Sequence, residues 1–154
     1  MRRGEKEIKD NKEITTIVEK ALVCRIGLAY GNCPYIVPVN FVMRDKHLYF
    51  HCAPEGRKIE IIKNNNQVCF EVEDAVSVVP GDSACSWGTK YLSVIGFGRA
   101  FIIEDMEAKK EALNWLMEKY AGGNDFSYKE DALKKMIVID IKIENITGKK
   151  SGYK

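Results

Sequence analysis

The sequence predicts a mainly β protein of about six strands, mostly antiparallel, closed into a small barrel with α-helices placed between and around them. Three observations carry that expectation. Short runs rich in β-branched and aromatic residues recur between turn signals over most of the chain. The last run alternates cleanly: Ile137, Ile139, Ile141 and Ile143 point one way, and Val138, Asp140, Lys142 and Glu144 the other. Such a pattern requires a core on the isoleucine side, as a barrel interior supplies. Finally, Gly96 and Gly98 interrupt a long strand, which calls for sharp bending or close approach of another backbone.

The elements follow in order. Ile14, Ile17, Val18, Ala21 and Leu22 recur at helical spacing, predicting a helix over residues 9–22 with Asp10 or Asn11 as its cap. Residues 23–30 read as a strand and Gly31-Asn32 as a turn. Residues 35–43 read as a second strand with Pro38 in its middle. Proline gives no ladder donor, so this strand lies at an edge or is locally unpaired. A polar turn at Arg44-Asp45-Lys46 leads into a third strand, residues 47–52, completing a short meander. Pro54 suits the first turn of a helix, which Ile59, Ile61 and Ile62 continue to about Asn64-Asn65-Asn66. Residues 67–79 form one strand, or two with a bend. After a loop at Pro80-Gly81-Asp82-Ser83, residues 91–103 form a long strand. The clearest helix spans 105–120, with Ala108, Ala112, Trp115, Leu116 and Tyr120 on one face. A loop at Gly122-Gly123-Asn124, a short helix over 128–135 and the alternating strand 137–144 complete the chain.

Composition narrows the function classes. The 154 residues suit one domain spanning 1–154; 24 Lys and Arg against 22 Asp and Glu leave a net charge of +2. That balance argues against a nucleic-acid partner, which usually demands a marked basic excess. No stretch approaches the ~20 apolar residues of a spanning helix, and the first residues lack the apolar core of a signal peptide. A cytoplasmic protein without membrane contact is expected. Five cysteines, widely spaced and without a C-x-x-C pair, read mostly as small buried hydrophobes in a reducing compartment. With only His47 and His51 beside them, no metal site is expected.

Three segments carry more specification than a barrel needs. In Pro34-Tyr35-Ile36-Val37-Pro38-Val39-Asn40-Phe41, Pro38 leaves neighbouring backbone groups without a regular partner. A planar ligand with donors and acceptors along its edge could satisfy them, and so could a bulged edge strand. In Tyr49-Phe50-His51-Cys52-Ala53-Pro54-Glu55-Gly56-Arg57-Lys58, a strand ends in histidine and Arg57-Lys58 opens a helix. A helix start with a forked and a point cation makes a phosphate pocket; a solvated basic turn is the alternative. His51 is the natural group for proton transfer near neutral pH. The third segment, Trp87 to Arg99, crowds aromatics, hydroxyls and glycines that either cover a flat ligand or plug the barrel.

The order P-Y-I-V-P-V-N-F, then Y-F-H-C-A-P-E-G-R-K, then Y-L-S-V-I-G-F-G-R-A resembles the pyridoxamine 5′-phosphate oxidase-like flavoproteins. Within them it is most similar to the nitroimidazole-resistance (Nim) branch. The likeness runs over nearly the whole chain, and H-C-A-P-E-G-R-K is its most specific portion. It implies a six-stranded antiparallel split β-barrel with flanking helices, a homodimer, and FMN at the subunit interface. By position, Arg57 and Lys58 would hold the FMN phosphate, while Val37, Pro38, Val39 and Asn40 would run along the flavin. Phe50 and His51 would lie close to the ring, His51 being the residue tied to activity in the Nim branch. Tyr91, Ser93 and Val94 would approach from the second chain. The closing Thr147-Gly148-Lys149 also matches the family pattern, with no role implied.

The implied activity is FMN-dependent reduction of a small acceptor, a 5-nitroimidazole-like nitroaromatic being the one the resemblance suggests. His51 would assist proton transfer while the cofactor supplies the redox chemistry. The alternatives are a non-catalytic flavin-binding or sensing dimer and a pyridoxamine phosphate oxidase-type activity. The last is the weaker, because the sequence ends at Tyr153-Lys154 without the Trp- and Arg-bearing segment of those oxidases.

Overall fold

The structure, a computed structural model of the chain, describes residues 4–123 and 126–153. Asn124, expected in a loop, and Lys154 lie outside the described residues. Strand β1 (Glu7–Ile8) precedes helix α1 (Asn11–Lys20), then β2 (Cys24–Tyr30), β3 (Cys33–Val39), β4 (Val42–Arg44) and β5 (His47–Cys52). Helix α2 (Arg57–Asn64), β6 (Gln67–Val79), β7 (Gly88–Ile103), α3 (Met106–Ala121), α4 (Glu130–Lys134) and β8 (Ile137–Ser151) follow.

All eight strands join one antiparallel sheet in the order β3-β2-β6-β7-β8-β5-β4, with β1 also on β8. The mainly β, antiparallel class is as expected; eight strands replace six because β1 and β4 are separate elements. The expected meander does not form. Residues 35–43 are two strands, β3 and β4, which lie at opposite ends of the strand path. Proline keeps β3 from taking a second neighbour, and β4 pairs with β5, which turns away to pair with β8. Only Asn40 and Phe41 separate these two end strands. The ends of the sheet are therefore close together, and the sheet rolls into a barrel whose seam is this covalent joint.

Local signals explain most boundaries. Asp10, one of the two candidate caps, accepts the Lys12 N–H at 2.9 Å. Ile14, Ile17 and Val18 are buried, but Leu22 is 64% exposed, because α1 stops at Lys20 and the chain then runs extended. Gly31 and Asn32 both have positive φ, 58° and 61°, the two-residue turn that matches strand twist in a hairpin. Asp105 caps α3 by accepting the Ala108 N–H at 2.8 Å. Strand β6 is single, with a bulge between Asp74 and Ser77.

β8 continues to Ser151, past the expected end at Glu144, and pairs with β7 from Tyr91 to Ile103. The two glycines of β7 answer to close approach. A Cβ on Gly96 would lie 2.2 Å from the Phe70 ring, and one on Gly98 would lie 2.2 Å from the Lys142 carbonyl oxygen. The register shifts between Phe97 and Gly98, so the barrel bends there.

Inside the barrel, Ile26, Phe50, Phe70, Val72, Val94, Ile139 and Ile141 are essentially fully buried. A second core, Val42, Ala112, Leu113, Leu116, Leu133 and Val138, forms where α3 and α4 cover the outside of the sheet. Lys109 is buried there because its ammonium donates to the Leu133 and Met136 carbonyls at the end of α4. At the seam, the Tyr120 hydroxyl accepts the Phe41 N–H at 3.0 Å and donates to the Leu22 carbonyl at 2.7 Å.

Two stability changes follow. Tyr120→Phe strands the Phe41 N–H and the Leu22 carbonyl and costs about 1–3 kcal/mol, read from the urea midpoint. Gly98→Ala forces a backbone contact and costs about 1–3 kcal/mol, whereas Gly88→Ala, with nothing within 4 Å, stays within about 0.5 kcal/mol.

Candidate functional site

One end of the barrel is closed by the start of α2, set against the beginning of β3 and the end of β5. The chain must reverse between Cys52 and Arg57, and Gly56 makes the reversal with φ at 110°, a left-handed value that favours glycine. Pro54 was expected in the first helical turn; it lies in the preceding bend, and Gly56 is the cap. Gly56 offers no side-chain hydrogen bond, so its carbonyl takes the Ile59 and Glu60 N–H groups while the N–H groups of Arg57 and Lys58 stay open.

The two cations leave α2 in different directions. The Arg57 guanidinium reaches β3, donating to the Cys33 thiol at 3.3 Å and lying 5.0 Å from the Tyr35 ring centroid. Lys58 lies over the Phe50 ring at 5.2 Å, and its charge partly offsets the burial that raises the Cys52 pKa. Neither cation joins an ion pair among the described residues, whereas Arg25, Arg44 and Arg99 all pair with glutamates. Two uncompensated cations beside open helix N–H groups form an anion-binding corner. A cleft of about 390 Å³, lined by Tyr30, Cys33, Arg57, Glu60, Ile61 and Asn64, opens beside it. Larger hollows of about 600 and 520 Å³ lie away from these residues.

Strand β3 supplies the wall next to this corner. It pairs only with β2, and its other edge is open. Pro34 and Pro38 have no N–H to give and so turn their nitrogens to the open side. Strand periodicity then places the Ile36 N–H and the carbonyls of Pro34, Ile36 and Pro38 on the same free edge. Val37 is half-buried, Pro38 and Asn40 are exposed, and Val39 packs into the core.

His51 and Phe50 diverge. The Phe50 ring is fully buried in the barrel beneath the Lys58 ammonium, so its side chain presents no open surface. His51 faces outward and is exposed. Its pKa is pushed below the ordinary 6.5, first by partial desolvation and then by the Lys58 charge.

The third segment lies elsewhere. Across the sheet His51 faces Val138, while Ser93 faces Lys149, eleven residues further along β8, roughly 35 Å of extended strand. Tyr91 and Ser93 therefore do not join His51 and Arg57 within one chain. The Val94 side chain is fully buried, so only its backbone could meet a ligand. The closing segment gains structural roles: Thr147 donates to the Ile95 carbonyl at 3.4 Å, Gly148 makes room for Ile8 and Ile14, and Lys149 bonds Tyr91. Cys33, Tyr35 and Cys52 were missed as neighbours of the cations. No sequence signal links Cys33 to Arg57, because the contact arises only when α2 folds against the β2–β3 hairpin. Cys33 and Cys85 are exposed, against the expectation of mostly buried thiols.

A rolled antiparallel sheet with one proline-marked open edge and a cationic helix start at its mouth defines a split-barrel protein with an anion corner. A family model described as pyridoxamine 5′-phosphate oxidase matches residues 10–150, and the chain belongs to that family. A solved structure of a candidate 5-nitroimidazole antibiotic resistance protein from Bacteroides thetaiotaomicron is 34% identical. It matches over 93% of this chain and 85% of its own, with a TM-score of 0.83. The FAD and heme binding protein of Mycobacterium smegmatis (18% identity, 96% and 74% of the two chains, TM-score 0.87) shares the fold. So does the flavocytochrome Anf3 of Azotobacter vinelandii (18% identity, 99% and 72%, TM-score 0.85). No curated protein matches the sequence. The family and the Nim-type likeness read from the three segments are borne out.

With two histidines in the chain, proton NMR separates them once His47→Gln identifies one resonance. His51 titrates below 6.5, and Lys58→Met moves it upward but not fully back, because desolvation is the larger cause. The depressed pKa also sets the sign of the stability change. As pH falls through 6.5 toward the His51 pKa, the unfolded chain binds its proton first and stability drops.

Proposed function

We propose that the protein is a cytoplasmic FMN-dependent oxidoreductase that works as a homodimer and passes electrons to a small acceptor, a nitroaromatic such as a 5-nitroimidazole among them. The observation that carries the reading is the anion corner beside the open edge of β3. Arg57, Lys58 and the open N–H groups of α2 suit a phosphate. The free Ile36 N–H and the three carbonyls beside it suit the hydrogen-bonding edge of a flat heterocycle. FMN would be held by Arg57 and Lys58 at its phosphate and by Val37, Pro38, Val39 and Asn40 along its ring, and would supply the two-electron chemistry.

The chain's own residues do the rest. Phe50 closes the barrel floor beneath Lys58 and keeps water from the interior side. His51, largely neutral near pH 7 and beside Lys58, holds a proton position at the edge of the site and relays a proton to the acceptor as it gains charge. Arg57 is oriented by the Cys33 thiol and the Tyr35 ring, so its fork is fixed before an anion arrives.

The homodimer rests on two features. His51 and Arg57 lie at one end of β8, and Tyr91 and Ser93 at the other, so a site using both needs two chains. Ile95 and Phe97, 44% and 53% exposed on the outer face of β7, lie beside the midpoint between those ends. Apolar side chains on an outer sheet face mark an interaction surface.

The visible spectrum of the purified or FMN-reconstituted protein tests the cofactor: flavin absorption bands that survive desalting support it, and a colourless protein that takes up no FMN overturns it. His51→Ala keeps the flavin bands and lowers nitro-reduction by about a hundredfold or more, whereas Arg57→Ala loses flavin. A His51→Ala enzyme with full turnover would remove the role given to that residue.

A further inference from the structure

The two ends of α2 grip one hairpin tip. At its start, Arg57 donates to the Cys33 thiol at 3.3 Å. Just past its end, the Asn65 amide donates from Nδ2 to the Ala29 carbonyl at 2.8 Å and accepts the Gln67 N–H on Oδ1 at 3.1 Å. Ala29 and Cys33 belong to the same hairpin, Ala29 paired with Pro34 and Tyr30 with Cys33 beside the Gly31-Asn32 turn. The helix between these anchors spans Arg57–Asn64, a length of about 12 Å.

Asn65 stands where β2 and β6 part. Their pairing runs from Arg25 with Glu71 to Leu28 with Val68, and stops short of Ala29 and Gln67. The carboxamide fills that gap, taking the Gln67 N–H of one strand and giving a proton to the Ala29 carbonyl of the other. An amide does both because it carries a donor and an acceptor on one planar group. A carboxylate has no proton for Ala29, and a serine hydroxyl lies one bond nearer the backbone than Nδ2. The Asn65 N–H is engaged as well, with the Ile61 carbonyl at 2.8 Å, so the residue is fixed to the last turn of α2. Between the anchors Ile59, Ile61 and Ile62 are buried. Apolar burial is non-directional; it presses the helix onto the core and leaves its placement along the hairpin to the polar contacts at its ends.

We propose that Asn65 is a positioning residue for the anion corner: its amide sets where α2 lies on the hairpin, and thereby where the Arg57 guanidinium is held. It acts through Arg57, from the opposite end of the helix, and not by contact with a ligand. Its consequence for cofactor affinity rests on the reading of Arg57 as a phosphate ligand; the placement of Arg57 itself is tested without flavin.

Alkylation of Cys33 by iodoacetamide, in the purified protein without added flavin, reads that placement, because a guanidinium beside a thiol speeds its attack. Peptide mass spectrometry follows Cys33, while the exposed Cys85 in the same digest reports general loosening. Arg57→Ala slows Cys33 severalfold. Asn65→Asp, and Asn65→Ser without the added charge, slow it in the same direction and leave Cys85 unchanged. The double variant Arg57→Ala/Asn65→Asp is no slower than Arg57→Ala, as holds for two residues acting through one contact. When the protein takes up FMN, both Asn65 variants raise its dissociation constant by up to about tenfold, the size of one hydrogen bond. The native Cys33 rate in both Asn65 variants overturns the proposal, as does a change at Cys85 in both. An effect additive with Arg57→Ala, or an Arg57→Ala rate equal to the native one, overturns it too. So does unchanged FMN affinity in both Asn65 variants. A protein that takes up no FMN sinks the cofactor reading alone, and the Cys33 rates then decide the placement.

Discussion

The joint at Asn40-Phe41 governs this molecule. Two residues connect strands at opposite ends of a seven-strand path, so the sheet has to curl until its ends meet. No strand-to-strand ladder closes that seam. It is held instead by the Tyr120 hydroxyl, which satisfies the Phe41 N–H, and by the Phe41 ring buried under the Lys119 ammonium at 3.7 Å. Burial there pushes the Lys119 pKa down to about 8, the mark of a charge held out of water. Because the seam is not a ladder, β3 keeps one bare edge. That edge is what the anion corner of α2 sits beside, so closure of the barrel and creation of the site are one event.

What the sequence made legible follows from how local each signal is. Asp10 and Asp105 cap their helices through bonds spanning two or three residues, and Gly31-Asn32 sets its hairpin by its own backbone angles. The alternation of Ile137, Ile139 and Ile141 reported the barrel interior correctly, although Val138 is buried too, because α3 and α4 cover the opposite face. The break at residues 40–41 was not legible. Val39 to Met43 is apolar enough to read as continuous strand, and only the choice of distant partners, β2 for one half and β5 for the other, divides it. The same holds for β8 beyond Glu144, where Asn145, Thr147 and Gly148 weaken the pattern while pairing with β7 continues it. Gly96 and Gly98 announced a close approach, but not that Phe70 and Lys142 would be the groups approaching.

The site was legible in its chemistry and less so in its geometry. Arg57-Lys58 after Gly56 declared a cationic helix start, and the structure adds why the charges remain available: the Cys33 thiol and two aromatic rings hold them where carboxylates would have cancelled them. Phe50 and Val94 belong to the same segments as His51 and Ser93, yet a period of two sends them inward. A motif in a strand names residues on both faces, and only the sheet's curvature says which face meets a ligand.

The near-neutral total charge hides this arrangement. Among the described residues, Arg25, Arg44 and Arg99 pair with glutamates across strands or between helix and strand, while Arg57 and Lys58 join no ion pair. His51 and Ser93 meet β8 toward its opposite ends, at Val138 and Lys149. In the proposed dimer, a two-fold axis crossing that strand near Phe97 sets each end of one protomer against the other end of its partner, and does so twice, because a two-fold interface is self-complementary. In that arrangement positions 51 and 93, separated by roughly 35 Å of strand in one chain, would approach one another across the axis without any change in the fold. The length of β8 past Glu144 would, in the proposed dimer, carry the second half of a composite site out to where a partner copy could reach it.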